Sequence, residues 1–505
     1  MKPAAVALWT LLGVVLSSAG AFAIPVSSGD HLQPDRPGFG GGSGSGTIFA
    51  SNNSDMSQFS GGKTLLLDAR VGHKALPPTG GETFVFASVA GRDEGRNVAA
   101  PLHLGIVIDR SGSMKGQRIA NALAAATGTV DRMRDGDTVS VVSFDNTAQV
   151  VVPPTRLSRD SRANVISEVN AIRLGGDTCI SCGLETAMQE LNRVASNDGA
   201  ITRMLLLSDG AANQGVRDLG GLRAIAGRMR DRGCNISTIG VDVDFDEKIM
   251  SAIATESNGR HHFVANASDL PNVFQQEFES LLSTVARDAE LEIELAPGVE
   301  PVQVFDRANR RSGQRITVPF GTFSAREEKT VLLKVRVTES FDRSSTQPIA
   351  RLHLAYQDAN RFGRETTDGA LAVRVAPGAS LDDMDPFVSA RLARSLTAQS
   401  LTEANSLFES GRVDEARARL ARQANEIASV GARAKSAAPS AEPLKTRARP
   451  VADDFDQQLS AVRDAEKSFG AAASAAGPAA APPSEVREGK AGVRTNQANA
   501  QALGF

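Results

Sequence analysis

The chain has 505 residues, a net charge of −3, and 41% hydrophobic but only 5% aromatic side chains. This length allows several domains, and the near-neutral charge gives no basic footprint of the kind that nucleic-acid-binding proteins carry. Three cysteines are too few to build a disulfide-based scaffold.

Residues 1–23 have the pattern of a Sec-type export signal. Lys2 supplies the positive start, an apolar run covers 4–15, and Ala21-Phe22-Ala23 is a small-residue cleavage site. We expect cleavage after Ala23, which would place the protein in the periplasm or at the cell exterior. An uncleaved N-terminal anchor is the alternative. No later stretch is long and apolar enough to predict a transmembrane span in the mature chain.

Residues 24–60 read as a flexible linker, because the stretch 36–46 is dominated by Gly and Ser. Two strands are predicted at 64–71 and 83–90, joined by the turn sequence PPTGG. We assign residues 61–99 to the first strands of a β-sandwich.

Between residues 100 and 287 apolar strands alternate with amphipathic helices. This alternation predicts an α/β domain with a doubly wound, mostly parallel sheet that is covered by helices on both faces.

Residues 288–378 have a period of two, as where Leu291, Ile293 and Leu295 alternate with Glu292 and Glu294. This pattern predicts antiparallel strands. Since strand-forming segments flank the α/β domain on both sides, we predict one discontinuous antiparallel β-sandwich with the α/β domain inserted in it.

The remaining C-terminal part divides into two regions. Residues 386–430 predict a helical hairpin, part of which resembles a single tetratricopeptide repeat, a unit that cannot form a solenoid alone. Residues 436–505 are rich in Ala and Pro and predict a mostly disordered tail. An amphipathic helix at 452–469, with Phe455, Leu459, Val462 and Phe469 near one face, interrupts it and would dock on the protein itself or on a partner.

Oxygen-bearing side chains follow the ends of two predicted parallel strands. Asp109, Ser111 and Ser113 follow one strand, Asp209 ends another, and Thr178 lies in a loop before a helix. Ligand sites of open α/β sheets lie beyond the carboxyl ends of the strands, so these five side chains are candidates to converge. Carboxylate and hydroxyl oxygens suit Mg²⁺, with Ca²⁺ or Mn²⁺ as alternatives.

This pattern resembles the von Willebrand factor type A domain with its metal-ion-dependent adhesion site. The family motif D-x-S-x-S corresponds to residues 109–113, the loop threonine to Thr178, and the late aspartate to Asp209. The resemblance covers residues 100–287, with one departure, Asp177, between Gly176 and Thr178. It implies a divalent cation that is incompletely neutralised by its own chain and binds an Asp or Glu of a partner.

Cys179 and Cys182 flank this loop at a predicted helix start, where they are a possible local disulfide. A thioredoxin-like role needs a different strand-helix context, and a zinc site needs a second pair of ligands. Cys234 is predicted to be a buried thiol. His261 and His262 are predicted to lie on an edge strand rather than to bind a metal.

We expect a non-enzymatic adhesion or protein-binding protein that engages an acidic residue of its partner through Mg²⁺, Ca²⁺ or Mn²⁺. A cell-envelope assembly or chaperone-like factor is the alternative. A metal-dependent hydrolase is a weaker alternative, because no H-E-x-x-H or G-x-S-x-G motif is present. The sequence leaves the identity of the ligand and the oligomeric state open.

Overall fold

The computed structural model describes residues 56–93, 100–194, 200–209, 212–242, 246–338, 346–359, 363–438, 450–475, 482–484 and 486–504. All of these belong to one compact unit, Ser51–Phe505. The predicted export signal 1–23 and residues 24–55 of the predicted linker lie outside the described residues. Residues 58–60, which were also assigned to the linker, belong to a strand.

The elements before and within the α/β domain are, in chain order, β1 (Gln58–Gly62), β2 (Leu65–Val71), β3 (Ala75–Leu76), β4 (Gly81–Gly91), β5 (Leu102–Asp109), α1 (Gln117–Arg132), β6 (Thr138–Phe144), β7 (Ala148–Arg156), α2 (Arg159–Asn170), α3 (Ile180–Leu191), β8 (Ile201–Ser208), α4 (Leu219–Arg230), β9 (Cys234–Val241), α5 (Glu247–Glu256), β10 (His261–Val264) and α6 (Leu270–Leu282).

The elements after it are β11 (Thr284–Leu295), β12 (Val299–Phe305), β13 (Arg310–Ser312), β14 (Arg315–Ser324), β15 (Glu328–Val337), β16 (Thr346–Asp358), β17 (Arg364–Val375), α7 (Pro386–Glu409), α8 (Val413–Ala437), α9 (Val451–Ala475) and α10 (Arg487–Gly504).

The α/β domain is built on a six-stranded sheet in the order β10-β9-β8-β5-β6-β7. All neighbouring strands are parallel except β7, which is antiparallel to β6 at one edge. Helices α1, α2 and α6 bury their apolar residues on one face, and α3, α4 and α5 on the other. This arrangement confirms the predicted doubly wound α/β fold class.

The strands on either side of this domain form two sheets that share one hydrophobic core. One sheet has the order β1-β2-β4-β15-β12 and the other β13-β14-β11-β16-β17-β3. Strand β4, which precedes the α/β domain, pairs antiparallel with β15, which follows it, over the register Gly81↔Val337 to Ala90↔Glu328. The sandwich, which is antiparallel except for the short pair β17–β3, is therefore assembled from segments before and after the α/β domain.

Both ends of the inserted domain meet the same turn of the sandwich. The amide of Gly91, at the end of β4, donates to the carbonyl of Glu327, and the amide of Arg326 donates back to Gly91. On the other side, the amide of Ala325 donates to the carbonyl of Ser283, directly after α6. The α/β domain therefore enters and leaves the sandwich at the turn 325–327, at the end of the sheet opposite Asp109.

Four helices pack at the C-terminus around a core of their own that also covers Phe84, Phe86 and Leu332 of the sandwich. The predicted hairpin 386–430 corresponds to α7 and α8, which continue to Ala437. The prediction of a mostly disordered tail at 436–505 is wrong for the residues that the structure describes, because α9 and α10 are both packed helices. Alanine is the best helix former, so its abundance here favours helices that pack closely rather than disorder.

The predicted amphipathic helix 452–469 lies within α9. Phe455, Val462 and Phe469 are buried in the helical core, Leu459 is partly buried against it, and the helix docks on its own chain. Among the described residues, none of the helices combines the length and apolar character that crossing a membrane requires.

Candidate functional site

The site begins where β5, a strand buried along its whole length, ends at Asp109. The side chain of Asp109 is fully buried. Its Oδ1 accepts a hydrogen bond of 2.8 Å from the amide of Ser111, and its Oδ2 accepts one from the hydroxyl of Ser208 at the end of the neighbouring strand β8. Because β5 and β8 pair in parallel, their carboxyl ends lie side by side, and Asp109 is held by bonds from both strand ends.

Three further predicted residues form a chain of oxygens beside Asp109. The hydroxyl oxygens of Ser111 and Ser113 are 3.0 Å apart, and the hydroxyl of Ser113 donates to Oδ1 of Asp209 at 2.7 Å. Ser111 and Asp209 are buried, whereas Ser113 is exposed. Four of the five predicted ligands therefore converge at the carboxyl ends of the strands, and one of them, Ser113, is exposed.

Thr178, the fifth predicted ligand, is buried in the loop that precedes α3. Its amide donates to Oδ1 of Asn213 at 2.8 Å, and its carbonyl accepts from the amides of Asn213 and Gln214. The loop contacts the segment between Ser111 and Ser113, because the amide of Gly112 donates to the carbonyl of Gly176 at 2.9 Å. The structure thus brings the threonine loop against the D-x-S-x-S segment.

Two consecutive glycines allow this close approach. A Cβ atom added to Gly175 would lie 1.9 Å from Oδ2 of Asp145, and one added to Gly176 would lie 2.1 Å from Oδ1 of Asn146. The amide of Gly175 also donates to the carbonyl of Arg110 at 2.7 Å. Any side chain at these positions would push the loop away from the end of β6.

Asp177, the departure from the family pattern, binds side-chain amides. Its carboxylate accepts hydrogen bonds from Asn146 at 3.2 Å, Gln214 at 3.1 Å and Asn213 at 3.4 Å, all in exposed surroundings. These contacts join the threonine loop to the segment after β6 and to the segment before α4. The hydrogen bonds of Asp177 therefore stabilise the exposed side of the threonine loop.

Cys179 and Cys182 are joined by a disulfide, with their Cα atoms 5.3 Å apart. Cys179 directly follows Thr178 and occupies the N-cap position of α3, and its amide donates to the carbonyl of Asp145 at 2.8 Å. The disulfide therefore closes the first turn of the helix that carries the threonine loop. Cys234 is a free, buried thiol.

Arg118, in the first turn of α1, is a site residue that the sequence reasoning missed. Its Nη1 donates to Oδ2 of Asp209 and to the carbonyl of Ser113, both at 2.9 Å, and its Nη2 donates to Asp242. No motif marks an arginine at this position, because its partners come from the ends of β8 and β9. Only the packing of the sheet brings them together.

Burial sets the electrostatics of the two aspartates. It raises the pKa of Asp109 to about 6, although the hydrogen bonds from Ser208 and Ser111 act in the opposite direction. Burial also raises the pKa of Asp209, against the lowering effects of Ser113 and Arg118. For Arg118, burial lowers the pKa, but the hydrogen bonds to Asp242 and Asp209 outweigh it and leave the pKa raised. Both carboxylates are desolvated and Arg118 pairs with Asp209, so the buried negative charge of Asp109 favours the approach of further positive charge.

The chemistry of this donor set fits a hard divalent cation. Asp109, Asp209, Ser111, Ser113 and Thr178 offer only carboxylate and hydroxyl oxygens, which are the ligands that Mg²⁺, Ca²⁺ and Mn²⁺ prefer. Throughout the part of the chain that the structure describes, no group of three or more His, Cys, Asp or Glu side chains stands together as a metal site. The candidate site has only two such side chains, Asp109 and Asp209, and its other three ligands are hydroxyls.

The two histidines lie on the edge strand β10, where the sequence predicts them. His262 bonds to Oε1 of Glu277 at 2.9 Å, and His261 bonds to the hydroxyl of Thr238 at 2.9 Å. Burial lowers the pKa of His261 to about 3. Both rings therefore make contacts within the α/β domain, away from the oxygen cluster.

The α/β domain has known relatives. Residues 103–276 match the family model of the von Willebrand factor type A domain. A solved von Willebrand factor type A structure from Catenulispora acidiphila is similar, with a TM-score of 0.63, 18% identity, and coverage of 80% of this chain and 97% of that one. The ArnB paralog VWA2 from Sulfolobus acidocaldarius has a TM-score of 0.54 and 14% identity, with coverage of 88% and 100%. At these identities the likeness concerns the fold.

An uncharacterised protein from Synechocystis is 25% identical over 281 residues, which are 54% of this chain and 65% of that protein. The chain thus spans less than two thirds of this relative. Residues 103–276 thus match the von Willebrand factor type A family model and have the fold of the two solved structures.

Proposed function

We propose that the von Willebrand factor type A domain of this protein binds partners that present an Asp or Glu side chain to a divalent cation, Mg²⁺ or else Ca²⁺ or Mn²⁺. Asp109, Ser111, Ser113, Thr178 and Asp209 would hold the cation, and the cation would supply an open coordination position for the carboxylate. The protein is then a non-enzymatic adhesion or protein-binding protein.

One observation carries this proposal. The oxygens of Ser111, Ser113 and Asp209 form a continuous hydrogen-bonded chain beside the buried carboxylate of Asp109. Asp109 is also held by the amide of Ser111 and the hydroxyl of Ser208, and Asp209 by the guanidinium of Arg118. Oxygens held in this way need little reorganisation to bind a cation, and the exposed Ser113 gives a partner access to it.

Two features support export to the periplasm or the cell exterior. The segment 1–23 has the pattern of a Sec-type signal, and Cys179 and Cys182 form a disulfide, a bond that persists in oxidising compartments. The sandwich would act as a stalk, because the inserted domain joins it at the end opposite Asp109.

Calorimetric titration of the full chain with Mn²⁺, Mg²⁺ and Ca²⁺ tests the cation. We expect Asp109→Asn to abolish the binding heat, because it removes a carboxylate while keeping the shape of the side chain. Asp137→Asn is the matched control. Asp137 is also a buried aspartate of this domain, but it lies at the amino end of β6, opposite the candidate site. It accepts hydrogen bonds from the amides of Leu102 and Arg134.

A chain that binds none of the three ions, or whose binding survives Asp109→Asn, would contradict the proposal. Affinity capture from cell-envelope extracts in Mg²⁺, with elution by EDTA, then identifies partners. Capture that is the same in Mg²⁺ and in EDTA would rule out a cation-mediated contact.

A further inference from the structure

The positive charge of Arg118 lies inside the proposed cation site. The same Nη1 atom donates to the carboxylate of Asp209 and to the carbonyl of Ser113, two of the five proposed ligand residues, at 2.9 Å each. A guanidinium this close to Asp209 neutralises part of the negative charge that would otherwise attract a cation.

A second contact holds Arg118 in this position. Its Nη2 donates to Oδ2 of Asp242, which follows the end of β9. Arg118 is only 28% exposed, so its charge is screened less than that of a surface arginine. The guanidinium is therefore fixed between two carboxylates, one of which belongs to the proposed site.

The C-terminal helix shares the same anchor. Nη1 of Arg487, the first residue of α10, lies 2.9 Å from Oδ1 of Asp242. Helix α10 is held independently of this pair, since Arg494 pairs with Glu247 at 3.2 Å and Gln501 donates to Thr255 at 3.3 Å. A continuous series of charge contacts thus runs from α10 through Asp242 and Arg118 to Asp209.

We propose that Arg118 is a built-in competitor of the cation, and that α10 adjusts this competition through Arg487 and Asp242. Arg118 repels a divalent ion and occupies an oxygen of Asp209, so it lowers the affinity of the site. Arg487 divides the carboxylate of Asp242 between two arginines, which leaves Arg118 a stronger partner for Asp209. A partner that draws α10 away from Asp242 would raise cation affinity. The inference rests on the proposed function, because it concerns the same cation.

Calorimetric titration of the full chain with Mn²⁺ tests this competition. Arg118→Gln removes the charge but keeps hydrogen-bonding capacity, and we expect it to lower the Kd for Mn²⁺ roughly ten-fold. Arg487→Gln should lower it about two-fold, because Arg487 is more exposed and acts through Asp242.

Arg162→Gln is the matched control. Arg162 lies in the same domain and also combines an ion pair, to Asp135, with bonds to the backbone carbonyls of Val130 and Asp131. Arg162 belongs to α2, and its contacts Val130 and Asp131 lie at the C-terminal end of α1, about 20 Å along the helix from Arg118 at 1.5 Å per residue. Its loss should leave the Kd unchanged.

The outcomes separate the two proposals. A tighter Kd in Arg118→Gln that is lost again when Asp109→Asn is added supports the competition at this site, even if the wild-type chain binds too weakly to measure. An Arg118→Gln chain that binds Mn²⁺ like the wild type or more weakly overturns the competition and leaves the proposed function standing. An equal effect of Arg162→Gln also overturns it, since net charge would then be the cause. A chain in which neither the wild type nor Arg118→Gln binds Mn²⁺ overturns both.

Discussion

At the scale of single residues, burial determines the protonation of a charged group at the contact between α10 and the α/β domain. Glu247 begins α5 and pairs with Arg494 through Oε2, while its Oε1 is buried without a hydrogen-bond partner in the described part of the chain. Burial raises the pKa of Glu247 to about 8, although Arg494 acts to lower it. The side chain is therefore protonated in the folded protein at pH values where it is ionised in the unfolded chain.

This raised pKa predicts a pH dependence of stability. Between the unfolded value of 4.5 and the folded value of about 8, the folded state binds the proton more tightly, so the free energy of unfolding falls as the pH rises through this window. The slope from this group should be on the order of 1 kcal/mol per pH unit. Glu247→Gln should remove this falling contribution between pH 5 and 8, and urea denaturation of the wild type and the variant at stepped pH measures the difference in slope.

Glu292→Gln is the control for this profile, because Glu292 pairs with Arg315 in the sandwich, apart from Glu247. It should leave the slope of the wild type in place. A profile of Glu247→Gln with the same slope between pH 5 and 8 as the wild type would contradict the assigned protonation of Glu247.

At the scale of elements, α9 and α10 complete a helical core rather than extend from it. The rings of Phe408 on α7 and Phe469 on α9 stack with their centroids 4.0 Å apart, and both side chains are fully buried. Helix α10 binds back to α7, since the side-chain amide of Asn405 donates to the carbonyl of Val493 at 3.0 Å. The last two helices therefore depend on α7 for burial of their apolar faces.

Phe469→Ala should destabilise this helical core by about 3–5 kcal/mol, because it removes a stacked ring and leaves a cavity. Leu396→Ala, on the same helical layer but at a residue that is 38% exposed, should cost far less. Amide hydrogen exchange of α9 and α10 measures the local loss of protection. Equal losses in the two variants would show that the stacked pair does not stabilise the helices.

At the scale of the whole molecule, the α/β domain is inserted in the sandwich, next to the turn 325–327. The two cores of the α/β domain consist of its own residues, while the core of the sandwich combines residues from before and after the insertion. Gly91 and Ser283 both bond to the turn 325–327, so the ends of the inserted domain leave the sandwich at neighbouring points.

This arrangement predicts different behaviour for different fragments. Residues 100–287 should fold alone, whereas 288–378 should not, because β15 then lacks β4 as its neighbour. A chain in which a short Gly-Ser linker joins residue 93 to residue 284 should restore the sandwich and the helices. Near-ultraviolet circular dichroism and cooperative thermal unfolding test all three. A folded 288–378 fragment would contradict the discontinuous sandwich.

The sequence by itself determined the features of this protein that depend on local periodicity and on short motifs. The alternation of strands and helices gave the α/β fold, and the period of two after residue 287 gave strands that do pair antiparallel. Asp109, Ser111, Ser113 and Asp209 were identified because they lie at or shortly after the ends of buried strands, and parallel pairing brings the carboxyl ends of these strands together. The boundaries of the domains remain predictions.

Only the tertiary structure decided the features that depend on distant segments. Composition predicted a disordered tail, but the Ala-rich helices α9 and α10 gain their stability from the apolar faces of α7 and α8, which local sequence does not reveal. In the same way, Arg118 becomes part of the site because Asp209 and Asp242, which follow β8 and β9, both reach it. Periodicity reports which face of an element is buried, whereas the partner that buries it, or pairs with its charge, is fixed only when the whole chain has packed.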